Sequence, residues 1–163
     1  MSFSSVRAES TMNAPSPAEP IDSQSDSLQD VLLLEGFQVL LVEDCVDQGR
    51  LHLKFLQEAG AEVTLECNGL SAVDAVKKSP TRFDAVVMDF EMPKMDGLDA
   101  TKQLRANGYG GAIIAVTAHS SDELKQSWFH AGCTEYLEKP LKKNGLISTV
   151  FCYVTLVKEA TKA

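Results

Sequence analysis

The side chains of this sequence that could take part in chemistry stand directly after short apolar runs. The clearest case is "VVMDFEMPKMDG", residues 86–97, in which Asp89 ends an apolar run and a Met-Pro and an Asp-Gly follow at once. Three further runs end in the same way, before a pair of acids, a threonine and a lysine. The five residues are Glu43, Asp44, Asp89, Thr117 and Lys139. If the runs are parallel strands of one sheet, their carboxyl ends meet at one edge, and these side chains lie together.

This set of side chains has the composition of a phosphoryl-transfer site. Clustered carboxylates repel one another and favour a cation that shares the site. Mg²⁺ (or Mn²⁺) prefers oxygen ligands and retains waters and a phosphate. A lysine ammonium and a threonine hydroxyl suit the oxygens of a phosphoryl group, and a carboxylate beside a metal can attack phosphorus to form an acyl phosphate. The sequence therefore predicts that Asp89 is the nucleophile of a Mg²⁺-dependent reaction.

The elements that must position these residues alternate between two types. Five short runs rich in Val, Ile and Leu read as strands, and amphipathic segments of helical period separate them. This alternation predicts an α/β fold, a flavodoxin-like (βα)5 doubly wound parallel sheet with strand order 2-1-3-4-5. The predicted strands are 37–42, 61–66, 84–88, 111–116 and 134–138.

Local signals predict where the helices begin and end. Gly60, Gly108 and Gly132 stand where helices stop, and Asn68 and Asp96 precede helices as caps. In the fourth helix, capping-box spacing places the cap at Ser120 with Glu123. In the first helix, an apolar stripe of core-facing residues is predicted at Leu51, Phe55, Leu56 and Ala59.

The charge and composition exclude several classes of protein. The 163 residues carry a net charge of -8, which argues against a nucleic-acid surface, and no window is apolar enough for a membrane span. Residues 1–36 hold six acids and one base and read as a flexible, acidic, Ser/Pro-rich tail or linker, whose end, "VLLLEG", is suited to packing beside the domain at 37–160. Four cysteines without a C-x-x-C pair indicate reduced, partly buried thiols and a cytoplasmic protein, with a structural disulfide or a zinc site as the alternatives.

Four motifs together resemble the receiver domain of two-component response regulators. "LLVED", "VVMDFEMPKMDG", "AVTA" and "YLEKP" occur in the order and at the spacing of that family, and the resemblance covers about residues 37–158. The residues of these motifs are most similar to those of the receiver of a hybrid sensor histidine kinase. In such kinases a linker like residues 1–36 often precedes the receiver. Cys45 departs from that subgroup, which commonly has Asn there, but it replaces no required ligand.

The resemblance implies a role for each site residue. Asp89 would accept a phosphoryl group from a histidine kinase or a histidine phosphotransfer protein, for signal transduction or a phosphorelay. Mg²⁺ would be held by Asp44, Asp89 and the backbone carbonyl of Glu91, with Glu43 acting largely through water. Thr117 and Lys139 would engage the phosphoryl oxygens. Thr117 and Tyr136 would form the conformational switch, in which the aromatic ring turns inward as the threonine moves.

Other functions fit the sequence less well. An aspartate-nucleophile phosphatase of the haloacid-dehalogenase type typically has a second Asp two residues after the nucleophile, where this chain has Glu91. A flavin carrier would need a phosphate-binding loop after the first strand, where "EDCVDQG" is acidic. A degenerate, non-phosphorylated interaction module stays open as an alternative. We expect no enzyme acting on external substrates and no output domain after residue 160.

The remaining residues suggest surfaces rather than chemistry. His52 and His130 are predicted to be solvated, whereas His119 flanks the site together with Glu91 and is a candidate modulator. At least one of Trp128 and Phe129 is expected to face outward, on a face suited to partner docking. The last helix is apolar on more than one side, which suggests a possible homodimer or kinase-docking surface.

Overall fold

The computed structural model describes residues 32–163, so the predicted tail lies almost wholly outside the described residues. Five strands alternate with five helices, as the sequence predicts. The elements are β1 (Gln38–Val42), α1 (Val46–Glu58), β2 (Glu62–Glu66), α2 (Gly69–Lys78), β3 (Ala85–Asp89), α3 (Gly97–Ala106), β4 (Ala112–Thr117), α4 (Asp122–Ala131), β5 (Glu135–Glu138) and α5 (Lys143–Lys162). None of the helices in this part of the chain is long and apolar enough to cross a membrane.

All five strands lie in one parallel sheet with the order β2-β1-β3-β4-β5, which confirms the predicted flavodoxin-like fold. The central strands β3 and β4 are buried along their whole length because helices cover both faces of the sheet. One apolar core lies under α2, α3 and α4, and the other lies under α1 and α5. The strand order places the carboxyl ends of β1 and β3 side by side at the centre of one edge.

The core on the side of α1 and α5 extends to residues that precede β1. Leu34 is fully buried, and its backbone N–H donates a hydrogen bond of 2.9 Å to the carbonyl of Ala59 at the end of α1. Leu32 and Leu33 are exposed. Of the leucines at 32–34, Leu34 is therefore the one buried against the sheet domain.

The helix caps agree with the sequence at two positions and differ at a third. Asn68 and Asp96 cap α2 and α3, each accepting a backbone N–H at 2.9 Å. The cap of α4 is Ser121, whose side chain accepts from the N–H of Leu124 at 3.3 Å, so the predicted cap at Ser120 is wrong by one residue. The hydroxyl of Ser120 instead donates to the carboxylate of Glu138 at the end of β5.

Two predictions for α1 are wrong. Leu51 is 48% exposed, although the apolar stripe placed it in the core. His52, predicted to be solvated, is 4% exposed and takes the inward position in place of Leu51. The buried face of α1 is formed by Gly49, His52 and Leu56. The His52 ring has a polar neighbour on this face, with 4.0 Å between its Nδ1 and Oε2 of Glu43.

Candidate functional site

Three carboxylates meet at the carboxyl edge of the sheet. Glu43 and Asp44 follow β1, and Asp89 ends β3, whose Met88 is in register with Val42 of β1. Glu43 and Asp89 are 4% and 3% exposed, whereas Asp44 faces solvent. One oxygen from each of the three carboxylates lies within 4.8 Å of the others. Such a set of oxygen donors fits a hard divalent cation, with Asp44 on the side open to solvent.

Lys139 supplies the positive charge of the site. Its Nζ lies 2.6 Å from Oδ2 of Asp89 and 3.7 Å from Oε2 of Glu43. Burial alone would lower the pKa of the Lys139 ammonium, but the hydrogen bond to Asp89 and the charges of Asp89 and Glu43 outweigh burial and raise it. The backbone N–H of Lys139 donates to the carbonyl of Thr117 at 2.8 Å, which fixes the end of β5 to the end of β4.

Glu43, one of the two buried acids of the site, has a raised pKa. Burial and the charge of Asp89 together raise the pKa of Glu43 to about 7, although the N–H of Cys45 and the charge of Lys139 act in the opposite direction. Burial also lowers the pKa of His52, and the charge of Lys139 acts in the same direction. The site therefore holds strongly interacting charges in little water, a condition that favours recruitment of a cation.

The loops after β3 and β4 are tied to each other beside Asp89. The N–H of Glu91 donates to Oδ1 of Asp89 at 2.8 Å, and the Glu91 carboxylate contacts Nδ1 of His119 at 2.8 Å. Thr117 is 2% exposed. Its hydroxyl donates a hydrogen bond to the carbonyl of His119 at 2.8 Å, and Oε1 of Glu91 lies 3.4 Å from the same hydroxyl. Both oxygens of Asp89 thus accept hydrogen bonds, from Glu91 on one side and from Lys139 on the other.

Tyr136 lies on β5, the edge strand that Lys139 follows, on the face of the sheet that α2, α3 and α4 cover. It is in register with Ala115 of β4 and is half-buried against Trp128 and Phe129 of α4. Trp128 is buried and Phe129 is 46% exposed, so one of the two faces outward, as predicted.

The structure brings the predicted residues together, adds His52 to them, and joins two of the flanking residues in a contact that the sequence did not predict. Glu43, Asp44, Asp89, Thr117 and Lys139 lie at one edge of the sheet, as predicted. The burial of His52 beside Glu43 was missed, because helical period alone favoured Leu51 as the inward residue. The contact between Glu91 and His119 joins two loops, and no local sequence pattern reports such a contact.

A doubly wound parallel sheet with clustered acids and a lysine at its carboxyl edge defines a receiver-type α/β domain. Comparison with known families agrees: the model of the response regulator receiver domain matches residues 39–151. The chain belongs to this family, whose members act in two-component signalling.

Three similar proteins illustrate the range of the family. "Probable histidine kinase 2" of Oryza sativa subsp. indica is 33% identical over 133 residues, which are 72% of this chain and 13% of the kinase. The receiver domain of sensor histidine kinase PA1611 from Pseudomonas aeruginosa, solved with a magnesium ion in its active site cleft, is 34% identical with a TM-score of 0.67, covering 74% of this chain and 98% of that one. The receiver of Saccharomyces cerevisiae Ssk1, solved with the histidine phosphotransfer protein Ypd1, is 26% identical with a TM-score of 0.69, covering 76% and 92%. The chain thus spans a small part of the curated kinase and nearly all of each solved receiver.

Proposed function

We propose that this receiver takes a phosphoryl group onto Asp89 from a phosphohistidine donor, in a reaction that requires Mg²⁺ or Mn²⁺. The observation that carries the proposal is the position of Asp89: a buried carboxylate within reach of two further carboxylates and 2.6 Å from the ammonium of Lys139. An aspartate that served only to cap or to pair would not need two further acids beside it, since their repulsion raises the free energy of the folded state.

The transfer step follows from these contacts. An oxygen of Asp89 attacks phosphorus, the P–N bond of the donor breaks, and its electron pair returns to the imidazole. The hydrogen bonds from the N–H of Glu91 and from Lys139 fix the plane of the Asp89 carboxylate before the attack. Lys139 and the hydroxyl of Thr117 then suit the oxygens of the incoming group. Later, water attacks phosphorus, the bond between phosphorus and the Asp89 oxygen breaks, and inorganic phosphate leaves with the carboxylate regenerated. The protein thus catalyses its own phosphorylation and dephosphorylation.

The residues suited to hold the cation are Asp44, Asp89 and the backbone carbonyl of Glu91, with Glu43 acting largely through water. When bound, the cation neutralises part of the charge that phosphoryl oxygens bring to an acidic site. The chain's contribution is to place these oxygen donors on rigid strand ends, with solvent access on the side of Asp44.

A histidine kinase or a histidine phosphotransfer protein is the proposed partner. The similarity to kinases and to the Ssk1 receiver solved with Ypd1 supports this class of donor. Tyr136 is the proposed switch aromatic that reports the state of Asp89 at the surface of α4. We place the reaction in the cytoplasm, where kinases of this class draw on ATP. Homodimerisation through α5 stays a prediction, which the exposure of Phe151 and Leu156 motivates.

Intact mass after incubation with phosphoramidate and Mg²⁺ tests the proposal, because this small donor carries the same P–N bond as phosphohistidine. We expect a gain of about 80 Da, the mass of one phosphoryl group, and its loss in Asp89→Asn or in EDTA. Asp96→Asn is the matched control, since Asp96 is an acid of the same loop that caps α3. A gain that survives in Asp89→Asn would place the acceptor elsewhere, and no gain in any variant would favour a non-phosphorylated interaction module.

A further inference from the structure

Four aromatic rings form a continuous row from the residue after Asp89 to the surface of α4. The rings of Phe90 and Trp128 meet edge to face at 5.5 Å between centroids, those of Trp128 and Tyr136 at 5.8 Å, and those of Tyr136 and Phe129 at 6.4 Å. Phe90 and Trp128 are buried, and Phe129 is exposed. We call Phe90, Trp128, Tyr136 and Phe129 the aromatic row. It joins the acceptor strand to the outer face of α4 without passing through Thr117.

The inner end of the aromatic row is closely packed against the loop that follows Asp89. The backbone N–H of Phe90 donates to the carbonyl of Val116, and its carbonyl accepts from the N–H of Gly97. A Cβ on Gly97 would lie 2.5 Å from the Phe90 ring, so only a glycine fits between this ring and the start of α3. A rearrangement of the loop between β3 and α3 therefore acts directly on the Phe90 ring.

The outer end of the aromatic row is held less tightly. Opposite Tyr136 on β4 stands Ala115, which has a small side chain, and Tyr136 itself is half-buried. The remaining contacts of the Tyr136 ring include Trp128, Phe129 and Lys125, whose Nζ lies 4.9 Å from the ring centroid. Among these contacts only Trp128 is buried, so Trp128 is the rigid support of Tyr136.

We propose that Trp128 is a positioning residue that couples the state of Asp89 to the packing of Tyr136 and Phe129. Close-packed rings pass a displacement on, because a buried interface shifts between discrete packings rather than deforming freely. A change in the loop after Asp89 moves Phe90 against Trp128, and Trp128 changes the support of Tyr136. The inference rests on the proposed function, since it supplies a second route, beside Thr117, by which the acceptor site reaches the surface of α4.

Fluorescence of the unmodified protein gives the first test, because Trp128 is the sole tryptophan of the chain. Beryllium fluoride with Mg²⁺ serves as the probe, as a mimic of the phosphoryl group on Asp89. We expect the emission of Trp128 to change in step with occupancy, and the change to be absent in Asp89→Asn. Unchanged emission at full occupancy, followed independently by ¹⁹F NMR of the bound fluoride, would overturn the proposal.

Amide NMR of variants gives the second test, because a coupling route requires evidence of coupling and not only of contact. In the wild type, the probe shifts the amide signals of Glu91, Tyr136 and Phe129. In Trp128→Leu the Glu91 shift remains, while the Tyr136 and Phe129 shifts fall to about one fifth or less, the lower end of typical allosteric coupling. Trp128→Phe, which keeps a ring, restores them in part.

Phe83→Leu is the matched control, since Phe83 is a buried ring of the same core outside the aromatic row. It should leave the shifts of Tyr136 and Phe129 at wild-type size. Full shifts of these two residues in Trp128→Leu would overturn the inference and leave the proposed function intact. Absence of the Glu91 shift in the wild type would instead contradict the proposed function.

Discussion

The ammonium group of Lys139 is hydrogen-bonded to the carboxylate of Asp89, with 2.6 Å between Nζ and Oδ2. The same ammonium lies 3.7 Å from Glu43, so one cation stands between two buried acids. Lys139 therefore compensates the negative charge of these two acids when no ion is bound. A bound divalent cation is suited to compensate the same charge. This arrangement makes the stability of the fold and the binding of the ion depend on each other.

Removing this cation should destabilise the protein and strengthen its response to Mg²⁺. We expect Lys139→Met to lower the free energy of unfolding by about 3 kcal/mol in EDTA, since breaking a buried ion pair leaves uncompensated charge. Added Mg²⁺ should raise the free energy of unfolding more in the variant than in the wild type, because the site becomes more negative. Urea unfolding followed by circular dichroism, with EDTA or with Mg²⁺, measures both effects.

Lys54→Met is the matched control for this change. Lys54 forms an exposed i,i+4 pair with Glu58 at 3.7 Å, and exposed pairs contribute little to stability. If Lys139→Met behaved like Lys54→Met in both buffers, the compensating role of Lys139 would be disproved.

The acid at Asp96 should matter to the helix and not to the chemistry. Asp96 accepts the N–H of Asp99 at the start of α3, so Asp96→Ala is expected to cost about 1 kcal/mol of stability, as is typical of a lost N-cap. The mass gained from phosphoramidate should stay at the wild-type level. Thermal unfolding and intact mass on the same sample check the two parts.

Asp74→Ala removes an acid from the interior of α2 and serves as the control. It should not destabilise, since alanine is the better helix former at an interior position. Loss of the phosphoryl adduct in a folded Asp96→Ala protein would show that Asp96 belongs to the acceptor site.

Much of the fold and of the site could be predicted because both depend on local patterns. The apolar runs fixed the strands, and parallel strands must bring their carboxyl ends to one edge, so Asp89 and Lys139 could be placed together although they are 50 residues apart. The predictions that were wrong concern residues whose positions depend on neighbours in space. His52 is inward, with its ring 4.0 Å from the buried carboxylate of Glu43, and periodicity carries no information about that neighbour.

The predicted start of α4 was wrong for a similar reason. Ser120 and Ser121 are both good caps, and the choice between them is made by Glu138 on β5, which accepts the hydroxyl of Ser120. The aromatic row could not be predicted from the sequence either. Its rings come from the residue after β3, from α4 and from β5, and only the packing of these elements brings them into contact.

Two glycines should respond in opposite directions to replacement by alanine. A Cβ on Gly97 would lie 2.5 Å from the Phe90 ring and 2.7 Å from the carbonyl oxygen of Asp89, a backbone atom that cannot easily move. We expect Gly97→Ala to destabilise the protein by about 1 to 3 kcal/mol, as overpacking of a core does, and to slow phosphorylation of Asp89.

A Cβ on Gly145 in α5 meets nothing within 4 Å. Gly145→Ala should therefore stabilise by up to about 1 kcal/mol through helix propensity, with no change in the rate of phosphorylation. Thermal unfolding and the time course of the mass gain compare the two variants. Equal rates in both would show that the packing of Phe90 against α3 has no part in positioning Asp89.

The buried thiol of Cys133 should resist alkylation over a wide range of pH. Burial raises the pKa of Cys133 from 9.0 to about 11, and the contact with Thr101 and the charge of Arg105 offset only part of this effect. The folded protein therefore keeps the proton where the unfolded chain begins to lose it. The resulting stabilisation is complete below about pH 9 and is lost as the pH rises through about 11.

Mass mapping after treatment with iodoacetamide measures this directly, because only the thiolate reacts. At pH 8 a thiol with a pKa of about 11 is about 0.1% ionised, against about a tenth for a thiol with the ordinary pKa of 9.0. Cys45, Cys67 and Cys152 are exposed and should be labelled quickly, whereas Cys133 should be labelled only after unfolding in urea. Labelling of Cys133 at the rate of Cys152 in the folded protein would mean that α4 opens locally, and the tight packing that the aromatic row requires would then be disproved as well.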